Sequence, residues 1–303
     1  MRSPLSTLVR LLRGLLLAPR DLEQLKLLHG QAVVREMLRA GPYANIHDSE
    51  IGVFSQWGDD GIIQYLVSLT EPLPDSFIEF GVEDYREANT RFLLLNNNWR
   101  GLVFDGSERN IAAIRSDYQY WRHGLRAMQA FVTRENIDEL ITTAGHGGEV
   151  GLLSIDIDGN DYWVWEAIKS IEPVIVVVEY NSVFGPERAL TVPYQADFSR
   201  NEAHSSNLFY GASLAALHHL GERKGHALVG CNSAGNNAYF VRRDRLRPPL
   251  RGLTPGEAFV ESRFRDSRDR AGRLTYLEGQ DRLLAIASMK VWDIVLGELV
   301  AVG

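Results

Sequence analysis

Residues 76–90 read SFIEFGVEDYREANT, and this stretch decides the fold. A short apolar run with strand character reaches Glu79 and turns at Gly81, and a segment of helical period follows. Strand, glycine turn and helix in this order are typical of a nucleotide-binding loop in an α/β domain. Two more acids, Glu83 and Asp84, follow the glycine, and their charge indicates an unusual ligand.

The loop is a poor site for NAD. A dinucleotide loop needs the second glycine of G-x-G-x-x-G so that the backbone can approach the pyrophosphate, and Glu83 stands at that position. The acids instead suit a cofactor that carries a sulfonium and an α-ammonium group and no phosphate. Glu79, Glu83 or Asp84 would offset that positive charge. We therefore expect S-adenosylmethionine as the cofactor.

Short apolar runs alternate with helical patterns from about residue 50 onward. The runs are SFIEFG, GLVFDG, LRAMQAFV, VGLLSIDID and VIVVVEYN. Continuous β-branched runs such as VIVVVE are typical of strands buried on both faces, and strand–helix alternation predicts a parallel sheet with right-handed crossovers. HALVGCN and NAYFVRRD, separated by SAGN, predict a closing hairpin. The predicted fold is a doubly wound α/β sheet.

Polar and acidic residues follow the ends of these strands. In open parallel sheets, ligands bind outside the carboxyl ends of the strands, where the strand order reverses. The second strand ends at Asp105, before Gly106 and Ser107, and a carboxylate there can accept hydrogen bonds from both ribose hydroxyls of an adenosine cofactor. Ala130 and Phe131 end the third run. All five residues are candidates for cofactor binding.

The fourth strand carries the densest group of acids. On an extended strand, Asp156 and Asp158 would share a face, and Glu179 ends the adjacent strand. Together they predict a site for Mg²⁺, which prefers oxygen ligands and would acidify an acceptor hydroxyl. We expect Asp156 and Asp158 to act in catalysis, and Asp156 also to contact the cofactor. The alternative is that Asp158 and Asp161 cap the next helix by accepting its free N–H groups.

These segments resemble the class I S-adenosylmethionine-dependent methyltransferases, and within them the FkbM-like proteins of polysaccharide and secondary-metabolite pathways. The matching segments are FSQWGDDGIIQYL, FIEFGVEDYREANT, NWRGLVFDGS, LLSIDIDGNDYWVWEAI, VVVEYNSVFGP and LVGCNSAGNNAYFVRRD. The resemblance covers roughly residues 50–244. It implies a doubly wound, mostly parallel, seven-stranded sheet of the Rossmann-like methyltransferase type.

The resemblance also implies roles for single residues. Glu79 and Gly81 would contact the methionine part of the cofactor, and Asp105 would hold the ribose. Residues 130–131 would flank the adenine. Glu83 departs from the pattern, because many members have a glycine there that allows a close approach of the backbone.

Three further groups have two interpretations each. His204 lies in a long, turn-rich segment and is a candidate general base, or else an exposed loop histidine. Gln56, Trp57 and Asp60 precede the first strand and either cover the cofactor as a lid or cap a helix. The asparagines within residues 231–237 either stabilise the turn of the hairpin or form hydrogen bonds with hydroxyl groups of the substrate.

The first part of the chain differs from the rest. The segment LVRLLRGLLLAPR is leucine-rich, and Arg2, Arg10, Arg13 and Arg20 punctuate it and its surroundings. It is too short and too interrupted to span a bilayer, which needs about 20 apolar residues. It predicts a helix that packs on the domain or on a second subunit, or one that rests on an anionic membrane surface. We therefore divide the chain into an N-terminal helical extension, 1–50, and a methyltransferase domain, 51–303.

Composition limits the partners and the compartment. A net charge of -7 gives no basic field for non-specific binding of nucleic acid. The single cysteine, Cys231, excludes an intramolecular disulfide and fits a reducing cytoplasm. We expect a cytoplasmic enzyme that moves a methyl group to a hydroxyl of a small-molecule or glycan acceptor, such as a sugar or a secondary metabolite. An N-methyltransferase, and a cofactor-binding assembly partner without transfer activity, are the alternatives.

Overall fold

The structure, a computed structural model, describes the backbone of residues 4–264 and 266–303 and the side chains of residues 20–264 and 266–303. The predicted basic character of the first helix depends on Arg2, Arg10 and Arg13, whose side chains lie outside the described residues. The strands are β1 (Ser76–Phe80), β2 (Arg100–Asp105), β3 (Leu125–Gln129), β4 (Gly148–Ile155), β5 (Ile171–Glu179), β6 (Leu190–Thr191), β7 (His226–Cys231), β8 (Asn237–Arg242), β9 (Lys290–Asp293) and β10 (Glu298–Ala301). The α-helices are α1 (Pro4–Ala40), α2 (Asp59–Thr70), α3 (Arg91–Asn96), α4 (Glu108–Ser116), α5 (Ile137–Thr143), α6 (Asp161–Ala167), α7 (Arg200–Ala203), α8 (Leu214–Arg223), α9 (Pro255–Ala258) and α10 (Gly279–Ile286).

A seven-stranded sheet in the order β3-β2-β1-β4-β5-β8-β7 forms the centre of the fold. Strands β1 to β5 are parallel, and β8 pairs antiparallel with both β5 and β7. The order reverses between β1 and β4, which creates the crevice where such sheets bind ligands. This is the Rossmann-like methyltransferase fold, so the predicted fold class and the predicted closing hairpin are both confirmed.

The apolar runs explain why this sheet lies in the core. Side chains alternate between the two faces of a strand, so a strand that is apolar throughout needs cover on both sides. In β5, Ile175 and Val177 pack in a cluster with residues of α2 and α3. Val176 and Val178 pack in a second cluster with residues of α6 and α8. The two helical layers therefore hold the carboxyl ends of the strands in fixed positions.

The second half of α1 packs on the domain. Val34 is buried in the first cluster, and a Cβ on Gly30 would lie 2.6 Å from a methyl group of Val53. Glu23 forms an ion pair with the buried Arg91 at the start of α3. This part of the extension therefore belongs to the packed structure.

Four leucines in the part of α1 whose side chains are described are exposed, namely Leu22, Leu25, Leu28 and Leu38. No helix among the described residues is both long enough and apolar enough to cross a membrane.

A smaller three-stranded sheet, in the order β10-β9-β6, takes strand β6 from the long segment that follows Asn181. That segment is more ordered than its sequence predicts, because it contains β6, α7 and a 3-10 turn at Ser182–Phe184. The C-terminal segment combines α10 with β9 and β10.

Candidate active site

A large open cleft lies at the carboxyl ends of the parallel strands and has a volume of about 1510 Å³. The residues predicted for the cofactor and the metal share this cleft. They are Glu79, Gly81, Glu83, Asp105, Gly106, Ser107, Ala130, Phe131, Asp156, Asp158 and Glu179. The structure thus brings these residues together, as strand ends in an open parallel sheet should be. Their individual roles remain predictions.

Gly81 follows β1 directly and lies close to the backbone that follows the neighbouring strand β4. Its φ is +74°, and a Cβ there would lie only 1.6 Å from the carbonyl oxygen of Asp156. Its N–H donates to the carbonyl oxygen of Phe104, 3.0 Å away. Every other residue has a Cβ that would collide with the backbone, so only glycine fits here. The turn after β1 is therefore fixed against both β2 and β4.

Glu83 adopts the backbone conformation that a glycine would favour, with φ +47°. This conformation directs its N–H to Oδ2 of Asp105, at 2.9 Å. The glycine that many resembling proteins have at this position is thus replaced without loss of the turn. The Glu83 side chain itself is exposed to the cleft.

Asp105 holds the two loops of the cofactor side together. Its Oδ1 accepts the N–H of Ser107 at 2.8 Å and Nδ2 of Asn110 at 3.0 Å, and its Oδ2 accepts the N–H of Glu83. A carboxylate offers about four acceptor sites. One site, on Oδ2, therefore has no donor among the described residues and is available to a ligand, and the contact with both ribose hydroxyls stays a prediction.

Glu79 shapes the loop from inside the protein. Its Oε1 accepts the N–H of Asn89 at 2.9 Å and the hydroxyl of Ser154 at 3.2 Å, and its Oε2 accepts both the N–H and the hydroxyl of Thr90. Burial raises the pKa of Glu79 to about 7, although these hydrogen bonds act in the opposite direction and lower it. Glu79 lines the cleft, but its bonds are to the loop and to Ser154 of β4, so in this structure it acts as a positioning residue.

The loop after β3 offers an apolar surface to the cleft. Phe131 is 58% exposed, and its ring lies against Gly106, where a Cβ would be 3.5 Å away. The N–H of Ala130 donates to the carbonyl oxygen of Asp105 and fixes the loop to β2. Ser107 caps α4 by accepting the N–H of Asn110. An exposed aromatic ring next to a carboxylate at a strand end suits a purine base.

Asp156, Asp158 and Glu179 form an acidic cluster on the other side of the cleft. One carboxylate oxygen of each lies within 4.8 Å of the others. Burial raises the pKa of Asp156 and of Glu179 well above the usual range, and the neighbouring carboxylates raise both pKa values further. Oε2 of Glu179 is buried and has no hydrogen-bond partner among the described residues. A buried acceptor without a donor, beside two more carboxylates, fits a cation or a hydrogen-bonding ligand.

The geometry of this cluster differs from the one expected. Strand β4 ends at Ile155, and Asp158 has φ +55°, so Asp156 and Asp158 do not share a face of an extended strand. They converge because the loop turns back. Asp161 accepts the N–H groups of Ile157 and Gly159, both at 2.9 Å, and thereby fixes that turn.

The helix-capping alternative does not hold for Asp158. Its Oδ1 accepts instead from Arg200, at 2.8 Å. Arg200 also contacts Asp266 at 2.9 Å, and its guanidinium lies 3.7 Å from the ring centre of Tyr210. Sequence reasoning missed Arg200, although a cation in a long loop was a usable signal. It brings positive charge to a cluster that otherwise consists of acids.

The segment before α2 contributes to the cleft through two of the three residues singled out. Gln56 and Trp57 line the cleft, and Trp57 stacks on Phe264 with ring centres 4.4 Å apart. Asp60 does not line it; its Oδ2 accepts three backbone N–H groups, those of residues 53–55. The neighbouring acid, Asp59, faces the cleft and was missed.

His204 lies outside the residues that line the cleft. Its Nδ1 contacts Oγ of Ser206 at 2.8 Å. Burial lowers its pKa, and Arg270 lowers it further. In this structure nothing places His204 near the acidic cluster, so its expected role as a base gains no support.

Comparisons with known proteins give a likeness of fold only. No protein-family model and no curated protein sequence matches the chain. Among solved structures, the N-terminal domain of EvdMO1 with SAH bound is 11% identical with a TM-score of 0.41, over 70% of this chain and 94% of that one. An O-methyltransferase from Bacillus cereus in complex with SAH is 10% identical with a TM-score of 0.38, over 69% and 89%. An S-adenosylmethionine-dependent methyltransferase from Clostridium acetobutylicum is 9% identical with a TM-score of 0.39, over 70% and 97%. These similarities are too low to support a function.

Proposed function

We propose that this protein is an S-adenosylmethionine-dependent methyltransferase whose acceptor is a hydroxyl of a sugar-like or secondary-metabolite molecule. The observation that carries the proposal is the division of one cleft into two halves. Loops after β1, β2 and β3 offer groups for an adenosine cofactor, and loops after β4 and β5 offer acids for an acceptor. The finer resemblance to FkbM-like proteins remains a hypothesis.

The cofactor half fits S-adenosylmethionine by its chemistry. The free acceptor site of Asp105 suits a ribose hydroxyl, and the exposed ring of Phe131 suits adenine. The exposed carboxylate of Glu83 offsets the charge of a sulfonium and an ammonium group. The same carboxylates would repel the diphosphate of NAD, which makes a dinucleotide the weaker candidate.

The acceptor half can remove a proton. Transfer of a methyl group is an in-line displacement, so the protein has to align an acceptor oxygen with the sulfonium methyl and relieve it of its proton. Asp156 and Glu179, which line the cleft and whose pKa values are raised by burial, would take that proton. A divalent cation held by Asp156, Asp158 and Glu179 would acidify the hydroxyl. Arg200 orients Asp158 within this group.

Calorimetry with S-adenosylhomocysteine, S-adenosylmethionine and NAD⁺ tests the proposal directly. We expect binding of the first two and none of the third. Binding of NAD⁺ alone, or of neither kind of ligand, would overturn it. Release of methyl groups to a panel of hydroxyl and amine acceptors then separates an O-methyltransferase from an N-methyltransferase and from a cofactor-binding protein without transfer activity.

A further inference from the structure

The turn between β7 and β8 is built by one asparagine. Oδ1 of Asn232 accepts the N–H groups of Gly235, Asn236 and Asn237, at 3.1 to 3.2 Å. Asn236 returns the contact, because its Oδ1 accepts Nδ2 of Asn232 at 2.8 Å. The side-chain oxygen of Asn232 is therefore occupied by the turn, whereas Asn237 lines the cleft.

Asp59 fixes the orientation of the Asn237 amide. Oδ1 of Asp59 accepts Nδ2 of Asn232 and Nδ2 of Asn237, both at 3.0 Å, and the hydroxyl of Tyr239. Oδ1 of Asp59 accepts from all three groups at once and therefore offers no proton to the amide of Asn237. The amide of Asn237 must therefore turn its NH₂ group to Asp59 and its oxygen away.

That oxygen is an acceptor without a donor. Oδ1 of Asn237 is buried and has no hydrogen-bond partner among the described residues, and the residue is 3% exposed. Leaving such a group unsatisfied costs about 1–3 kcal/mol. A ligand that supplies the donor would explain why an unsatisfied acceptor is kept at a cleft.

The position of Asn237 shows where the ligand would lie. Asn237 is the direct partner of Glu179 in the antiparallel pair of β5 and β8. Side chains at such partner positions project on the same face and are about 5 Å apart at Cβ. Both carry a buried oxygen without a partner, and both line the cleft. A ligand whose hydroxyl meets Glu179 would therefore place a neighbouring group at Asn237.

We propose that Asn237, oriented by Asp59, determines acceptor specificity by accepting a hydrogen bond from a donor next to the hydroxyl that is methylated. The inference rests on the proposed function and narrows its acceptor to a vicinal diol or an amino alcohol. Trp57 and Phe264 add a stacked aromatic surface to the same cleft, and such a surface packs against the C–H face of a sugar ring. A pyranose with adjacent free hydroxyls has both features.

The test begins with the wild-type protein, S-adenosylmethionine and a panel of methyl pyranosides of hexoses and 6-deoxyhexoses, with methylation followed as S-adenosylhomocysteine release. Each glycoside that is methylated is compared with the analogue that lacks the hydroxyl next to the methylated one. We expect the wild-type kcat/KM to fall about tenfold or more for the deoxy analogue, because Asn237 loses its donor. Asn237→Ala should methylate the two sugars with nearly equal kcat/KM values.

Two variants sharpen the result. Asp59→Asn supplies an amide that can donate to Oδ1 of Asn237 and withdraw it from the cleft, so the preference for the diol should again be lost. Asn96→Ala, on α3 and outside the cleft, should keep it. Asp59→Asn also replaces Asn237→Ala if the alanine variant does not fold.

The outcomes separate this inference from the proposed function. Equal loss in wild type and Asn237→Ala, or no loss in wild type, would mean that water satisfies Oδ1, and the inference fails. Binding of S-adenosylhomocysteine without methylation of any glycoside also overturns the inference and leaves cofactor binding intact. Absence of S-adenosylhomocysteine binding overturns the proposed function itself.

Discussion

The Cα of Gly81 lies so near the carbonyl oxygen of Asp156 that a Cβ on residue 81 would lie 1.6 Å from it. Gly81 belongs to the loop of the proposed cofactor half, and Asp156 begins the loop of the acceptor half. The two halves of the cleft are therefore in backbone contact at the point where the strand order reverses.

Substitution of Gly81 by alanine should be far more damaging than an alanine at another left-handed glycine. Gly145 has a similar φ, +81°, but no atom lies within 4 Å of its hypothetical Cβ. Gly145→Ala should lower the free energy of unfolding by about 1–2 kcal/mol, the cost of the left-handed conformation alone. Gly81→Ala should lose more than about 4 kcal/mol and bind no S-adenosylhomocysteine. Equal denaturation midpoints for the two variants would show that the close approach is not obligatory.

Asp105→Ala should weaken S-adenosylhomocysteine binding by about 1.5–3 kcal/mol, the range for a hydrogen bond to a charged group. Asp105→Asn keeps an acceptor oxygen and should lose less. Calorimetry measures both, and thermal denaturation checks that the loops held by Asp105 stay folded. Asp75→Ala, an exposed acid at the other end of β1, serves as the control and should bind as the wild type does. Unchanged affinity in a folded Asp105→Ala variant would remove Asp105 from the cofactor site.

Methylation should be lost in a chelator and return with Mg²⁺ or Mn²⁺ if the acidic cluster holds a cation. A direct titration with Mn²⁺ measures the site without an acceptor. Glu179→Gln should weaken Mn²⁺ binding by about tenfold or more, because it removes one carboxylate ligand. Glu83→Gln, in the same cleft but outside the cluster, should not. Turnover that is insensitive to chelator would exclude the metal and leave Asp156 and Glu179 as the candidate bases.

Arg200→Gln should have the opposite effect on the same titration. The guanidinium of Arg200 forms an ion pair with Asp158 and repels a cation that binds there. Its removal should strengthen Mn²⁺ binding by roughly tenfold. Arg86→Gln is the matched control, because Arg86 also lines the cleft but pairs with Asp84, outside the cluster. Weaker Mn²⁺ binding in Arg200→Gln would mean that the arginine is needed to hold Asp158 in place.

The stability of the protein should depend on pH through Glu79. Burial raises the pKa of Glu79 to about 7 in the folded protein, whereas its ordinary value is 4.5. Between these values the unfolded chain loses a proton that the folded protein keeps, so the free energy of unfolding falls as the pH rises through this window. The loss is about 3 kcal/mol, complete above about pH 7.

Urea denaturation at several pH values between 4.5 and 7.5 measures this dependence. Glu79→Gln should lose less stability across the window than the wild type does. The exposed Glu71→Gln should behave as the wild type. Identical slopes for wild type and Glu79→Gln would show that Glu79 ionises as freely in the folded protein as in the unfolded chain.

The sequence predicted the cleft because the carboxyl ends of parallel strands must meet at one edge. The sequence shows apolar runs that reach Glu79, Asp105 and Glu179. Because these runs form parallel strands, the three side chains lie together at one edge of the sheet. Errors arose where a loop, rather than a strand, sets the direction of a side chain. Asp158 is the example, since its left-handed backbone turns it to Arg200 and not to a helix end.

By itself, the sequence determined the order of strands and helices, the edge of the sheet that binds ligands, and the acids at that edge, because hydrophobic period and strand ends are local properties. Only the tertiary structure decided which distant groups meet. Asp59 precedes the whole sheet in the chain, and Asn237 begins one of its last strands, yet their contact fixes the amide of Asn237, a cleft-lining residue whose Oδ1 has no hydrogen-bond partner among the described residues. Hydrogen bonds and charge act over a few ångströms of space, whatever the separation in sequence.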